Sequence, residues 1–132
     1  APREAQGQAI EEGRVIEILI PLHTVSESNA RGHWAKKAKR AKEHRNIVAL
    51  SLRSCVLVTG AALDEAVHVV KLTRVAPREL DDDNLRGALK GVRDGVADWL
   101  GINDRDRRVR WEYDQRPGGV REYAVQIEFR RL

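Results

Sequence analysis

The chain has 132 residues, of which 42% are hydrophobic and 33% charged; that is enough apolar matter for one domain with a core, and it excludes a disordered or fibrous chain. The net charge is +4, but Arg31 to Arg53 holds eight Lys or Arg against a single Glu, a local charge of +7, so the remainder carries −3. No apolar run reaches membrane-spanning length and the single cysteine, Cys55, excludes an internal disulfide, so the expectation is a cytoplasmic protein with no membrane partner.

Residues 1–13 are polar and aperiodic, and a disordered tail is expected ahead of one domain spanning 14–132. The chain starts at Ala1 and lacks methionine, as expected where a natural start has been trimmed. Arg14–Ile20 is rich in β-branched residues and stops at Pro21, which predicts the first strand. Thr24–Ser28 reads as a polar loop, and Asn29 as a cap.

A long helix is expected from Ala30 to Ser54. Trp34, Ala38, Ala41, Val48 and Leu52 recur at helical spacing and predict its buried stripe, with Trp34 in the core. Lys36, Lys37, Lys39, Arg40 and Lys42 cover much of the rest. Acidic residues four positions away are almost absent, so a phosphate backbone is the expected counter-charge, with an acidic protein surface as the other candidate. Asn29, Arg31, His33, Lys36, Lys37, Lys39, Arg40 and, further on, Arg86 are the candidate DNA contacts. Cys55 sits in an apolar run and is expected in the core.

Gly60 to Glu65 is a connection. Ala66–Val75 predicts a second strand in which His68 is a packed or paired strand residue rather than a ligand. It leads into Asp81-Asp82-Asp83-Asn84. In an extended chain Asp81 and Asp83 point to one side and Asp82 to the other. Two ionised carboxylates on one side repel, and a hard divalent cation, magnesium or manganese, removes that repulsion. One acid at a helix start is explained by capping and the helix dipole; three in a row exceed what capping requires.

Asn84–Leu100 is strongly helical, with Leu85, Ala88, Leu89, Val92, Val96, Trp99 and Leu100 on one face and Gly101 as the left-handed stop. Gly87, Gly91 and Gly95 form a second stripe. Each glycine costs roughly 1 kcal/mol against alanine in a helix, so another backbone is expected close by, either the first helix or the same helix of a second subunit. The turn after Gly101 carries Asp104 and Asp106. Val109, Trp111 and Tyr113, and then Tyr123, Val125, Ile127 and Phe129, alternate with polar residues around Arg116-Pro117-Gly118-Gly119, which predicts a two-stranded hairpin. The order β-α-β-α-β-β implies an α+β domain, a small mixed sheet with two main helices.

Asp81-x-Asp83-Asn84, the helix after it, Gly101-Ile102, the acidic turn and the strand that follows resemble the RusA-like Holliday-junction resolvases. Ser28-Asn29 with Trp34 and the basic helix also resembles that family, and the likeness runs from about Thr24 to Trp111. The resemblance implies a RusA-like fold and a homodimer that binds four-way or branched DNA and nicks two strands symmetrically with magnesium, in recombination and repair. It implies Asp81, Asp83 and an acid of the later turn as metal-binding catalytic carboxylates. Counting from the glycine gives Asp104, which is placed first; counting back from Val109 gives Asp106. One departure stands out: the family's usual lysine, three residues after the Asn, is Gly87 here. Lys90, one turn on, and Arg86 are the substitutes. A straight helix over Asn84–Leu100 would separate its ends by about 25 Å. Asp83 and Asp104 then meet only if the helix is shorter or bent, or if they come from two subunits packed along the glycine stripe. A relative that binds branched DNA with weak or no cutting is the alternative function, and a protein-interaction domain whose acids merely cap a helix is the third.

Overall fold

The computed structural model describes residues 15–25, 34–55, 68–103 and 105–131. Its elements are β1 (Val15–Ile20), α1 (Trp34–Cys55), β2 (His68–Ala76), α2 (Asp82–Ala88), α3 (Lys90–Leu100), β3 (Val109–Pro117) and β4 (Ala124–Arg131). Among the described residues the architecture is α+β, with a four-stranded mixed sheet and three helices. The expected tail, the 60–65 connection, and Asn29, Arg31, His33 and Asp104 lie outside the described residues, as does the Cys55 side chain.

β2 is the most fully buried strand, and it lies in the interior of the sheet, whose order is β1-β4-β2-β3. It pairs antiparallel with β4 and parallel with β3. Period-two alternation puts Val70 and Leu72 in line with Trp111 and Tyr113 of β3, Phe129 and Ile127 of β4, and through β4 with Ile16 and Ile18 of β1. Val48 and Leu52 of α1 and Val92, Val96 and Leu100 of α3 join that face to complete the core. His68 is buried in β2, as expected for a strand histidine. Among the described residues, no helix is long and apolar enough to cross a membrane.

The predicted hairpin does not form. β3 and β4 are successive and oppositely directed, but β2 lies between them. Their alternation is real; it records two separate pairings with β2. The 118–123 connection must span two strand spacings, roughly 10 Å, and the Gly118 N–H is fixed to the Ala76 carbonyl at the end of β2 (2.9 Å).

The predicted second helix is bent, not straight. Leu89 separates α2 from α3 with φ −97° and ψ 4°. The ladder continues through it, from Leu89 N to Leu85 O (3.1 Å) and from Arg93 N to Leu89 O (2.9 Å). The Leu89 side chain is fully buried. Gly101 ends α3 at φ 71°, as its position predicts.

Two of the three stripe glycines meet α1 of the same chain. A β-carbon on Gly91 would lie 2.6 Å from the Ala41 carbonyl oxygen, and one on Gly95 the same distance from that of Arg45. Gly87 faces open space. The side of α1 that packs here is Ala41, His44, Val48 and Leu52, so the predicted stripe holds from Ala41 onward, while its first two members, Trp34 and Ala38, are exposed. Trp34 is 73% exposed, which overturns its expected place in the core. It sits two turns ahead of the α3 contact. Arg45 of α1 braces the same interface by a bidentate pair with Asp98 of α3.

Candidate functional site at the carboxyl ends of the parallel strands

β2 and β3 run parallel, so their carboxyl ends open together, the usual place for ligands in such sheets. The chain leaves β2 through Pro77-Arg78-Glu79-Leu80 and is clamped there by Gln115 of β3. The Leu80 N–H donates to Gln115 Oε1 (2.9 Å) and Gln115 Nε2 donates to the Leu80 carbonyl (2.6 Å). This fixes the entry to α2 against the sheet.

Asp81 is the N-cap of α2, with φ −70° and ψ 169°. Its Oδ1 accepts the Asn84 N–H (2.9 Å) and its carbonyl accepts Leu85 N–H (2.8 Å). Capping therefore explains Asp81. Asp82 and Asp83 are exposed in the first helical turn, and no hydrogen bond or ion pair engages either among the described residues. The expected extended-chain alternation fails at this point because Asp82 and Asp83 are already helical. Helical spacing places Asp82 with Leu85 and Arg86, and these three line a cleft of about 400 Å³ with Lys71, Trp111, Glu112, Tyr113 and Asp114.

Asp82, Glu112 and Asp114 were not among the sequence candidates. Their juxtaposition depends on β3 lying beside β2, which the hairpin pattern concealed. Lys71 Nζ lies 3.4 Å from Asp114. The Gln115 backbone N–H, then Lys71, hold the Asp114 carboxyl below its ordinary range. Arg86 lies over the Tyr113 ring, 5.6 Å from its centroid. Among the described residues no three His, Cys, Asp or Glu side chains form a metal-holding group. The unengaged carboxylates of Asp82 and Asp83 are hard oxygen donors of the kind magnesium takes, but within the described residues they do not complete a set.

The remaining candidates are dispersed. Lys36 and Lys39 project from the exposed side of α1, and Lys39 stands 4.0 Å from Glu43. Lys37 and Arg40 are half-buried. Lys90 does not join the acids' cleft. It lines a separate cavity with Lys37, His44, Gly87 and Gly91 that contains no carboxylate.

Asp106 lies before β3, at the opposite end of the parallel pair. Gln115, which clamps the Asp81 turn, is six strand residues beyond Val109, roughly 20 Å away. Asp106 and the Asp81 turn of one chain cannot share an ion across that distance. Asp106 is also engaged by Arg108, whose N–H, Nε and Nη2 all donate to it at 2.9, 3.1 and 2.8 Å. The Arg108 side chain, with its backbone N–H, lowers the Asp106 carboxyl to about 2. A depressed carboxylate contributes stability that is complete above its unfolded value, near 4, and is lost as the pH falls through its folded value. Acid titration followed by circular dichroism should therefore show wild type losing roughly 1 kcal/mol between about pH 4 and 2, after allowance for solvent at this half-buried pair, relative to Asp106→Asn.

No family model matches the chain. It is 37% identical over 82 residues to a protein of Xylella fastidiosa (strain Temecula1 / ATCC 700964) described as an uncharacterized protein, and the match covers 58% of this chain and 52% of that protein. The chain thus spans about half the length of this relative.

Proposed function

We propose that the protein is a RusA-like, magnesium-dependent endodeoxyribonuclease of recombination and repair that acts on Holliday junctions or related branched DNA as a homodimer. The observation that carries this reading is the Asp81–Asp83 turn. One acid suffices to cap α2, and Asp81 does so, yet two further exposed carboxylates follow with no partner among the described residues. Such a turn at the carboxyl ends of parallel strands, in a chain that also carries a basic helix, suits a phosphodiester beside a divalent cation.

In this reading Asp81 and Asp83 supply metal oxygens, and magnesium would provide an activated water and Lewis-acid stabilisation of the leaving oxygen. Asp104 or Asp106 completes the set; Asp106 would come from a second subunit, since it lies too far from the Asp81 turn within one chain. Because α1 of the same chain occupies Gly91 and Gly95, the subunits would meet elsewhere than along that stripe. Arg86 replaces Lys90 as the candidate cation beside the acids, because Arg86 shares the cleft with Asp82 and Lys90 lies against α1.

A second reading, a branched-DNA binder with little or no cutting, is favoured by Gly87. The family's lysine position carries no side chain, and the space around it is open. The experiment is nicking of a labelled four-way junction and of a linear duplex of equal length, in Mg²⁺ or EDTA. The expected result is paired, symmetric, Mg²⁺-dependent cuts in the junction alone. Binding without cuts selects the second reading. Neither binding nor cutting overturns both and leaves the acids as a helix cap.

A further inference from the structure

Arg74 is a buried cation with no counterion. It is 5% exposed, the only Arg or Lys among the buried polar residues of the described chain. Its Nε donates to Thr24 Oγ1 (3.0 Å) and its Nη1 to the Arg78 carbonyl (2.7 Å). Both acceptors are neutral, no carboxylate pairs with it among the described residues, and Nη2 keeps no protein partner there. Burying a charge this way is costly unless something balances it. The cost is visible in the group itself, since burial lowers the Arg74 pKa from its ordinary value.

The guanidinium faces a cavity of about 260 Å³ at the carboxyl ends of β2 and β3, lined also by Arg78, Glu79, Gln115 and Arg116. Arg78 and Arg116 are exposed at its mouth, and Arg116 Nη1 is steadied by Gln126 Oε1 (2.7 Å). Glu79 is the one carboxylate in the lining; it is exposed and pairs with none of the three arginines. Three guanidiniums against one carboxylate leave the cavity at +2. A guanidinium presents a planar fork that matches tetrahedral oxyanions, and a phosphate group fits within the cavity and offsets its charge.

We propose that Arg74, Arg78 and Arg116 form a phosphate-binding site, with Arg74 as its buried anchor. Resting on the nuclease reading, the phosphate is one of the DNA backbone, held just upstream of the Asp81–Asp83 turn. The Gln115 clamp on Leu80 ties the two sites together, so the bound phosphate would set the register of the strand presented to the acids. The ligand chemistry itself does not depend on that reading, because the uncompensated charge asks for an oxyanion of either source.

The test uses the whole chain in EDTA. Thermal unfolding is followed with inorganic phosphate against chloride at matched ionic strength, for wild type, Arg74→Lys and the surface double variant Arg78→Ala/Arg116→Ala. The wild type should show a saturable phosphate-specific rise in Tm, as binding to the folded state requires, and both variants should lose it. In parallel, affinity for a four-way junction should fall about tenfold or more in each variant, and the slope of affinity on salt should drop by about one per lost contact. No phosphate-specific rise in wild type, or an equal rise in the double variant, overturns the site. A rise lost in the variants with junction affinity unchanged upholds the oxyanion site and overturns its assignment to DNA. Failure of the wild type to bind junctions at all defeats the nuclease reading, and the phosphate arm still decides this one.

Discussion

Gly95→Ala should destabilise the protein by roughly 1–3 kcal/mol, and Gly91→Ala by a similar amount, although alanine is the better helix former. Propensity alone favours each change by about 1 kcal/mol. Sterics override it. The new methyl at Gly95 would sit 2.6 Å from the Arg45 carbonyl oxygen and 2.8 Å from the Val48 β-carbon. At Gly91 it would meet the Ala41 carbonyl oxygen and the His44 β-carbon at the same two distances. These obstacles are backbone and stem atoms of a helix, so no rotamer change relieves them. α1 must move off α3, opening gaps around Val48, Leu52, Val92 and Val96, all of them fully buried, and pulling Arg45 from Asp98. Gly87→Ala is the internal control. Nothing lies within 4 Å of its β-carbon, so it should leave stability unchanged or raise it by up to about 1 kcal/mol. Urea unfolding of the three variants checks the ranking. A Gly95→Ala protein as stable as wild type would mean that α1 and α3 do not pack as described.

The same three glycines show what a one-dimensional pattern carries. Their spacing predicts a close backbone, and there is one. It does not predict that α1 of the same chain would use two and leave the third empty, because that depends on where the helices cross. The hairpin is the opposite case. Alternation along Val109–Tyr113 and Tyr123–Phe129 identifies two strands correctly, yet a period of two says only that a strand has two faces. It does not name the neighbour, and β2 competes successfully for both with Val69, Val70 and Leu72. Trp34 misled for a related reason. It fits the helical period, but burial is confined to the stretch that α3 reaches. The bend at Leu89 has no proline or glycine of its own to announce it. The site was legible as an acidic turn at a helix start. Its setting, a cleft shared with Glu112 and Asp114 and a neighbouring cavity of arginines, required the parallel pairing of β2 and β3.

Asp83→Asn should lower junction nicking by about a hundredfold or more while leaving junction binding in EDTA intact. Under the proposed function it removes one ligand charge from the metal. The geometry of α2 makes a sharper comparison available at Asp81. Asparagine caps a helix as well as aspartate does, so Asp81→Asn keeps the bond to the Asn84 N–H and removes only the charge, whereas Asp81→Ala also costs about 1 kcal/mol of stability. If Asp81 is a metal ligand, the two variants should be equally poor nucleases with different stabilities. If it is a cap alone, Asp81→Asn should cut like wild type. Asp82→Asn completes the series. Asp82 lines the cleft with Glu112 and Asp114, and with the metal on Asp81 and Asp83 its loss should cost less than about tenfold. The reverse ranking, Asp82→Asn inactive and Asp83→Asn active, would move the metal into that cleft. There the helical turn, not the extended spacing of a D-x-D motif, would decide which carboxylates converge.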